Sequence, residues 1–307
     1  MSDPVLVGVA LDERDHAPVA LGRTLADLTT GRLALLHAYP YEPLTMRAPE
    51  FGEELRRRAA DGVQRLVASL PDGIDVTVHT YPRLSVARAL HEAAEALHAV
   101  ALVVGSSRGG DVRRAFPGHT AQRLLGGAPC PVGIAPHEPS GQTDGLSQIG
   151  VAFDGSPEAD EALEAAIALA QAASAKLTTY TVFEPVETAP AMTLPGWLVP
   201  QSYLEDYGER AERTARTAAQ RVPEDVLAAT RLLTGDAALV LSEVSAELDL
   251  MLCGSRGYGP LRAVLLGSVS ARLVRSAACP LLITPRGHGG ELAARVRARR
   301  TSRRWAA

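Results

Sequence analysis

The stretch GSRGYGPLRAVLLGSVSARLVRSAACP, residues 254–280, decides the fold. It aligns without a gap on GSSRGGDVRRAFPGHTAQRLLGGAPCP, residues 105–131, at an offset of 149. Ten of the 27 positions are identical: Gly105, Ser106, Gly110, Arg113, Gly118, Arg123, Leu124, Ala128, Cys130 and Pro131 with their partners. Upstream, Ile149-Gly-Val-Ala-Phe-Asp154 echoes Val7-Gly-Val-Ala-Leu-Asp12 at an offset of 142. Self-similarity of this kind marks a tandem duplication, and 307 residues suit two domains. The growth of the offset predicts about seven extra residues in the second copy, placed in the Pro-rich stretch 184–201. The expected boundaries are 1–137 for the first domain, 138–146 for a linker rich in Pro, Ser, Gly and Thr, 147–286 for the second domain and 287–307 for a basic tail.

Each copy alternates strand and helix. In the second, the segments 148–153, 176–183, 226–233, 250–254 and 281–284 read as strands. Helices are expected over 157–173, 203–221, 236–247 and 269–277. Pro157 at the first helical position, with acids in the first turn, favours a helix start. In the first copy, strands are expected near 5–11, 32–39, 74–81, 101–105 and 132–135. Strands joined by crossover helices pair in parallel. The predicted fold is therefore α/β, with two tandem five-stranded parallel sheets of the Rossmann-like, nucleotide-binding kind.

Composition excludes several classes. Lys176 is the only lysine, and no Gly-Lys-Ser/Thr occurs, so a Walker-type phosphate loop is absent. The start, Met-Ser-Asp-Pro-Val, has neither a basic nor an apolar leader, and no apolar run has membrane-spanning length. Cys130, Cys253 and Cys279 form neither an even disulfide framework nor a CxxC spacing. A cytoplasmic protein is expected. The tail 291–307 holds six arginines and one acid, about +5, against a formal charge of −4 for the chain. With only Trp305 interleaved, the tail reads as a solvated, partly helical terminus, and nucleic acid is not the expected partner.

Glycines after a strand and before a helix let backbone amides approach a phosphate. Gly254-x2-Gly257-x9-Gly267-Ser268 has that placement. With Asp154-Gly-Ser156 after the first strand of its copy, and Cys279-Pro280 before the last, the chain resembles the universal stress protein family in its tandem form. In ATP-binding members the glycine and Gly-Ser elements hold phosphates, an aspartate reaches the ribose side, and an apolar residue ending the second strand meets the base. The resemblance carries these roles to Gly254, Arg256, Gly257, Gly267, Ser268, Val269 and Ser270, then to Asp154 and Val182. In the first copy they fall on Asp12, Ala38, Gly105, Arg108, Gly118 and Thr120. That copy departs from the pattern: Arg108 replaces the second glycine and His119 the serine.

The resemblance implies ATP as ligand, Mg²⁺ as its companion with Asp154 the one evident acid nearby, and pairing of the two halves within the chain. It leaves a homodimer open. Little or no ATP hydrolysis is expected, because no base, metal acids and positioned water stand together in sequence. The alternative is a nucleotide-free interaction or dimerisation module of the same fold. A pyrophosphatase-type ligase would want Ser-Gly-Gly-x-Asp-Ser, which Asp154-Gly-Ser-Pro does not supply. His37 and the Cys-Pro pairs read as packing residues, His119 as a loop histidine, and 192–197 as a loop over the second domain's edge.

Overall fold

The structure, a computed structural model, describes residues 3–41, 48–71, 74–106, 119–136, 145–184, 201–255 and 267–306. The first half runs β1 (Val5–Gly8), α1 (His16–Leu28), β2 (Arg32–Tyr39), α2 (Pro49–Ala68), β3 (Asp75–Pro82), α3 (Val86–Ala96), β4 (Ala101–Gly105), α4 (His119–Leu125) and β5 (Val132–Ala135). The second runs β6 (Gln148–Ala152), α5 (Pro157–Ala173), β7 (Lys176–Phe183), α6 (Gln201–Arg221), β8 (Leu227–Thr234), α7 (Ala237–Val244), β9 (Leu250–Gly254), α8 (Ser268–Ser276) and β10 (Leu281–Thr284), and α9 (Gly289–Ala306) follows.

The expected pair of five-stranded sheets is one continuous sheet of ten strands, ordered β3-β2-β1-β4-β5-β10-β9-β6-β7-β8. Within each half every pairing is parallel. The halves meet in an antiparallel pair, with Leu281 opposite Ile134 and Ile283 opposite Val132. Helices cover both faces, so the central strands read as near-continuous apolar runs. One core layer holds Val5, Val7, Leu33, Leu35, Ile149, Val151, Leu250 and Leu252, under α1, α2, α5, α6 and α9. The other holds Leu6, Leu36, Leu102, Met251 and Ile283, under α3, α4, α7 and α8.

Local chemistry accounts for the ends of the elements. Ser156 caps α5 by accepting from Ala159 N at 3.2 Å, and Pro157 starts the helix. Ser174 ends it in the left-handed region at φ 56°. Asp236 caps α7 rather than beginning it, and a 3₁₀ turn, Ser245–Glu247, follows where one longer helix was expected. β1 stops at Gly8 rather than Leu11, because Leu11 turns to φ 67°.

The tail is not solvated as the sequence suggested. It forms α9, whose Leu292, Ala293 and Val296 are fully buried against the Ala-rich α5. Glu161 of α5 fixes its start, accepting from Gly287 N at 2.7 Å and Gly289 N at 2.9 Å. A β-carbon on Gly289 would stand 2.6 Å from the Glu161 carbonyl oxygen, so only glycine permits this approach. Arg295 pairs with Asp3, and the Arg299 guanidinium lies over Gly31, so α9 braces the second half against the first. Burying Leu292 and Val296 contributes on the order of 1.5–3 kcal/mol each, enough to dock the helix while its described arginines stay outside the core. The segments 107–118, 137–144, 185–200 and 256–266 lie outside the described residues, and with them the expected linker except Gly145 and Leu146, and the loop 192–197.

Candidate functional site

In an open α/β sheet the ligand crevice lies at the carboxyl ends of the strands where the strand order reverses. Here that point falls between β6 and β9 in the second half, and between β1 and β4 in the first. In the second half, β6 delivers Asp154 and β9 delivers Gly254 and Ser255. Asp154 is exposed and accepts from Ser156 N at 2.9 Å, over a turn whose Gly155 has φ 78°. Val182 is half-buried at the end of β7, opposite Leu233, and packs on the layer under α7 and α8. Ser268 is exposed and Val269 half-buried, while Gly267 is buried. Arg256 and Gly257, with Arg108 and Gly118 of the first half, lie outside the described residues.

Two residues act differently from the expectation. At Gly254 a β-carbon would lie 2.5 Å from the Glu158 carbonyl carbon and 2.6 Å from its oxygen. Gly254 therefore lets β9 approach the backbone of α5, which is a packing requirement in its own right. Ser270 is buried, and its hydroxyl donates to Gly254 O at 3.0 Å. It ties the first turn of α8 to the end of β9 instead of presenting a free donor.

That tie brings together two unfilled groups. α8 begins at Gly267 with no side-chain cap, whereas Ser85, Ser156 and Asp236 cap α3, α5 and α7. The first intrahelical bond is Ala271 N to Gly267 O, 2.9 Å. The amides of Ser268, Val269 and Ser270 consequently have no helical acceptor, and none meets them among the described residues. Beside them Ser255 is 1% exposed, and its hydroxyl has no hydrogen-bond partner. Its amide donates to Thr284 O at 3.0 Å, which fixes the residue at the strand end. A buried hydroxyl left unsatisfied costs about 1–3 kcal/mol, so Ser255 and the open amides of α8 are donors without acceptors among the described residues. Ser255 was readable in the sequence as an identity of the repeat, shared with Ser106, but its isolation was not. Arg272 bonds Asp236 Oδ2 at 2.6 Å, holding that carboxyl below its usual range and α8 against α7.

The first half is built differently, and the sequence echo misplaces it. Val5 pairs with Ala101 as Ile149 pairs with Leu250. Val9 N donates to Leu36 O as Phe153 N donates to Tyr180 O. Leu11 and Gly155 share the positive φ. All three fix the offset at 144, two residues from the echo at 142. Ala38 is then the counterpart of Val182, but Asp12 is the counterpart of Ser156 and Ala10 that of Asp154. Asp12 does what Ser156 does: it caps the 3₁₀ turn Glu13–Asp15, accepting from Arg14 N at 3.0 Å. Its carboxylate is also engaged by Arg14 Nε at 2.8 Å.

Asp15, which sequence reasoning missed, is 3% exposed and accepts from Ala10 N at 2.8 Å, Leu11 N at 2.7 Å and Asp12 N at 3.3 Å. Burial pushes its carboxyl up, the loop amides pulling the other way. A β-carbon on Gly105 would meet no described atom closer than Pro18 Cγ at 3.5 Å. Thr120 is half-buried in α4, a helix of 7 residues against the 9 of α8. The Ser106 hydroxyl, like that of Ser255, has no partner. His37 Nδ1 lies 2.9 Å from Val9 O, a structural contact.

Burial pushes the thiols of Cys130, Cys253 and Cys279 up to about 12, so none is a ready nucleophile. Among the described residues no group of three or more His, Cys, Asp or Glu is placed to hold a metal, and no helix is long and apolar enough to cross a membrane.

A doubly wound sheet with an open helix N-terminus at its switch point defines a Rossmann-like ligand-binding class. The universal stress protein family matches residues 1–136 and 146–285. A universal stress protein of Mycolicibacterium smegmatis is 30% identical over 290 residues, 91% of this chain and 96% of that one. One from Mycobacterium tuberculosis strain H37Rv is 27% identical, over 76% of this chain and 81% of its own. Among solved structures, a universal stress protein from Archaeoglobus fulgidus superposes with a TM-score of 0.66 at 16% identity, covering 94% of this chain and all of its own. The chain belongs to the universal stress protein family, with two such domains in tandem.

Proposed function

We propose that the second half binds an adenine nucleotide, ATP, and that occupancy rather than catalysis is the activity of the protein. The observation that carries this reading is the uncapped start of α8 beside the unpartnered, buried Ser255 hydroxyl. Helix dipole and open amides together favour a multiply charged phosphate. The donor set fits a triphosphate without lysine: the amides of Ser268, Val269 and Ser270, the hydroxyls of Ser255 and Ser268, and the sequence neighbours Arg256 and Gly257. Asp154 would face the ribose hydroxyls and Val182 the base. Mg²⁺ binds largely through substrate phosphates and a carboxylate or two, and Asp154 is the one described carboxylate offered here. With no base held by a second group at this place, the site retains ATP more readily than it cleaves it. Ligand occupancy acts by favouring one of two conformational states. Three buried free thiols suit a reducing, cytoplasmic setting.

The test is calorimetric titration of the full chain with ATP, for the wild type, Ser255→Ala and Ser106→Ala. Removing the Ser255 hydroxyl should weaken ATP about tenfold, the value of one hydrogen bond to a charged group. The unliganded protein should lose no stability, because that hydroxyl has no partner to lose. Ser106→Ala should leave the affinity unchanged. Absence of saturable binding, or equal affinity in wild type and Ser255→Ala, would sink the assignment.

A further inference from the structure

We propose that the first half is closed to nucleotide by its own Asp15 carboxylate, which occupies the loop amides as a built-in anion, so that the chain takes one nucleotide and not two. The inference rests on the second-half reading given above. Asp15 projects back from the turn before α1 onto Ala10 N, Leu11 N and Asp12 N. At an offset of 144 its counterpart is Ala159, a buried residue with no side-chain acceptor. The equivalent turn of the second half, with Gly155 at φ 78° where Leu11 has φ 67°, leaves the Gly155 amide without an acceptor among the described residues. Two copies of one loop thus differ in a respect that matters to a ligand. In the second half the Gly155 amide is open while Ser156 N is taken by Asp154 Oδ1, and in the first half Asp15 takes all three amides.

Other features of the same half point the same way. A leucine in the left-handed region is disfavoured by about 1–2 kcal/mol, and Leu11 is held there by the Asp15 bond to its amide. Its side chain is anchored as well, lying where Gly62 of α2 leaves room: a β-carbon on Gly62 would come within 2.6 Å of Leu11 Cδ1. The position equivalent to Asp154 is Ala10, which offers no carboxylate to a ribose. Asp12, the next carboxylate along this turn, is engaged by Arg14. A nucleotide entering here would have to displace a tethered, buried carboxylate from the three loop amides, and would bring its own negative charge towards Asp15 and Asp12. A tethered group competes at a high effective concentration, and like charges at close range add to the barrier.

Amide hydrogen exchange by NMR on the intact chain, with and without saturating ATP, tests this alongside the calorimetric stoichiometry. The expected result is one ATP per chain. The Ala10 and Leu11 amides should be protected before ATP and unchanged after it, while the Gly155 amide gains protection. Asp15→Asn offers one carbonyl oxygen in place of a carboxylate, so Ala10 or Leu11 should lose at least tenfold in protection. The wild-type measurement decides the matter even if that variant fails to fold. Two ATP per chain, or ATP-dependent protection at Ala10 and Leu11, overturns this inference and leaves the second-half site standing. No ATP at all overturns the second-half reading and the one-per-chain claim together.

Discussion

Gly254 and Gly105 occupy matched positions at the ends of β9 and β4, and alanine at each asks what the glycine is for. Neither has a positive φ, so conformational freedom is not the reason for either. At Gly254 the added carbon would stand 2.5 Å from the Glu158 carbonyl carbon, against 3.4 Å where ordinary contact begins, so the first turn of α5 must retreat by about 0.9 Å. That turn belongs to a helix packed on β9, on α9 and on the sheet, and it cannot move alone. Overpacking of this kind costs roughly 1–3 kcal/mol. At Gly105 the nearest described atoms are Pro18 Cγ at 3.5 Å and Arg14 O at 3.7 Å, and none of the described atoms has to move. There the lower entropy of the unfolded chain should leave the protein unchanged or stabilised by up to about 1 kcal/mol. Thermal unfolding followed by circular dichroism measures both, at roughly 2–4 °C per kcal/mol for proteins of this general size. The expected result is a melting temperature several degrees lower for Gly254→Ala and no fall for Gly105→Ala. Equal effects would refute the packing argument and return Gly254 to a role confined to ligand contact.

Three further outcomes follow from the packing and the buried groups. Leu292→Ala removes a fully buried side chain from the contact of α9 with α5 and should cost about 2–5 kcal/mol in urea unfolding. A loss below about 1 kcal/mol would show that the tail is not docked. The thiols of Cys130, Cys253 and Cys279, pushed up to about 12 by burial, should resist Ellman's reagent in the native protein and all react after unfolding. Fast native reaction of any one would contradict its burial. Asp15 binds its proton more tightly folded than unfolded, so its contribution to stability is largest at low pH. That contribution declines as pH rises from about 4, the unfolded aspartate value, through the raised folded value. Asp15→Asn should remove this part of the pH dependence of the melting temperature, and an opposite slope would contradict it.

The duplication, the strand–helix order and the position of the glycine segment were legible because each is written in local sequence. The identities between 105–131 and 254–280, the Pro157 helix start and the apolar strands left little freedom. The joining of the halves was not legible, since the antiparallel contact of Ile134 with Leu281 depends on edges that no local pattern marks. The tail misled for a related reason. Its arginines dominate the composition, while Leu292, Ala293 and Val296, which dock it, are too few to stand out. Asp154 and the start of α8 were singled out by the resemblance carried on the glycine segment, and the structure places them by the carboxyl ends of β6 and β9. The identity of Asp12 with Asp154 was a false echo, corrected by the hydrogen bonds of Val9 and Phe153 and by the shared turn of Leu11 and Gly155. Asp15 carried no signal in sequence and Ser255 only that of a repeat identity, because what distinguishes both is the presence or absence of a partner in space.

The central claim is that adenine nucleotide lies at the switch point of the second half. Photolabelling of the intact chain with an 8-azido derivative of ATP, followed by peptide mapping, tests it most directly. The account predicts saturable labelling, suppressed by unmodified ATP, at peptides around Val182 or the β6–α5 turn and none in the first half. Label confined to the first half, or label that ATP does not compete away, would contradict it.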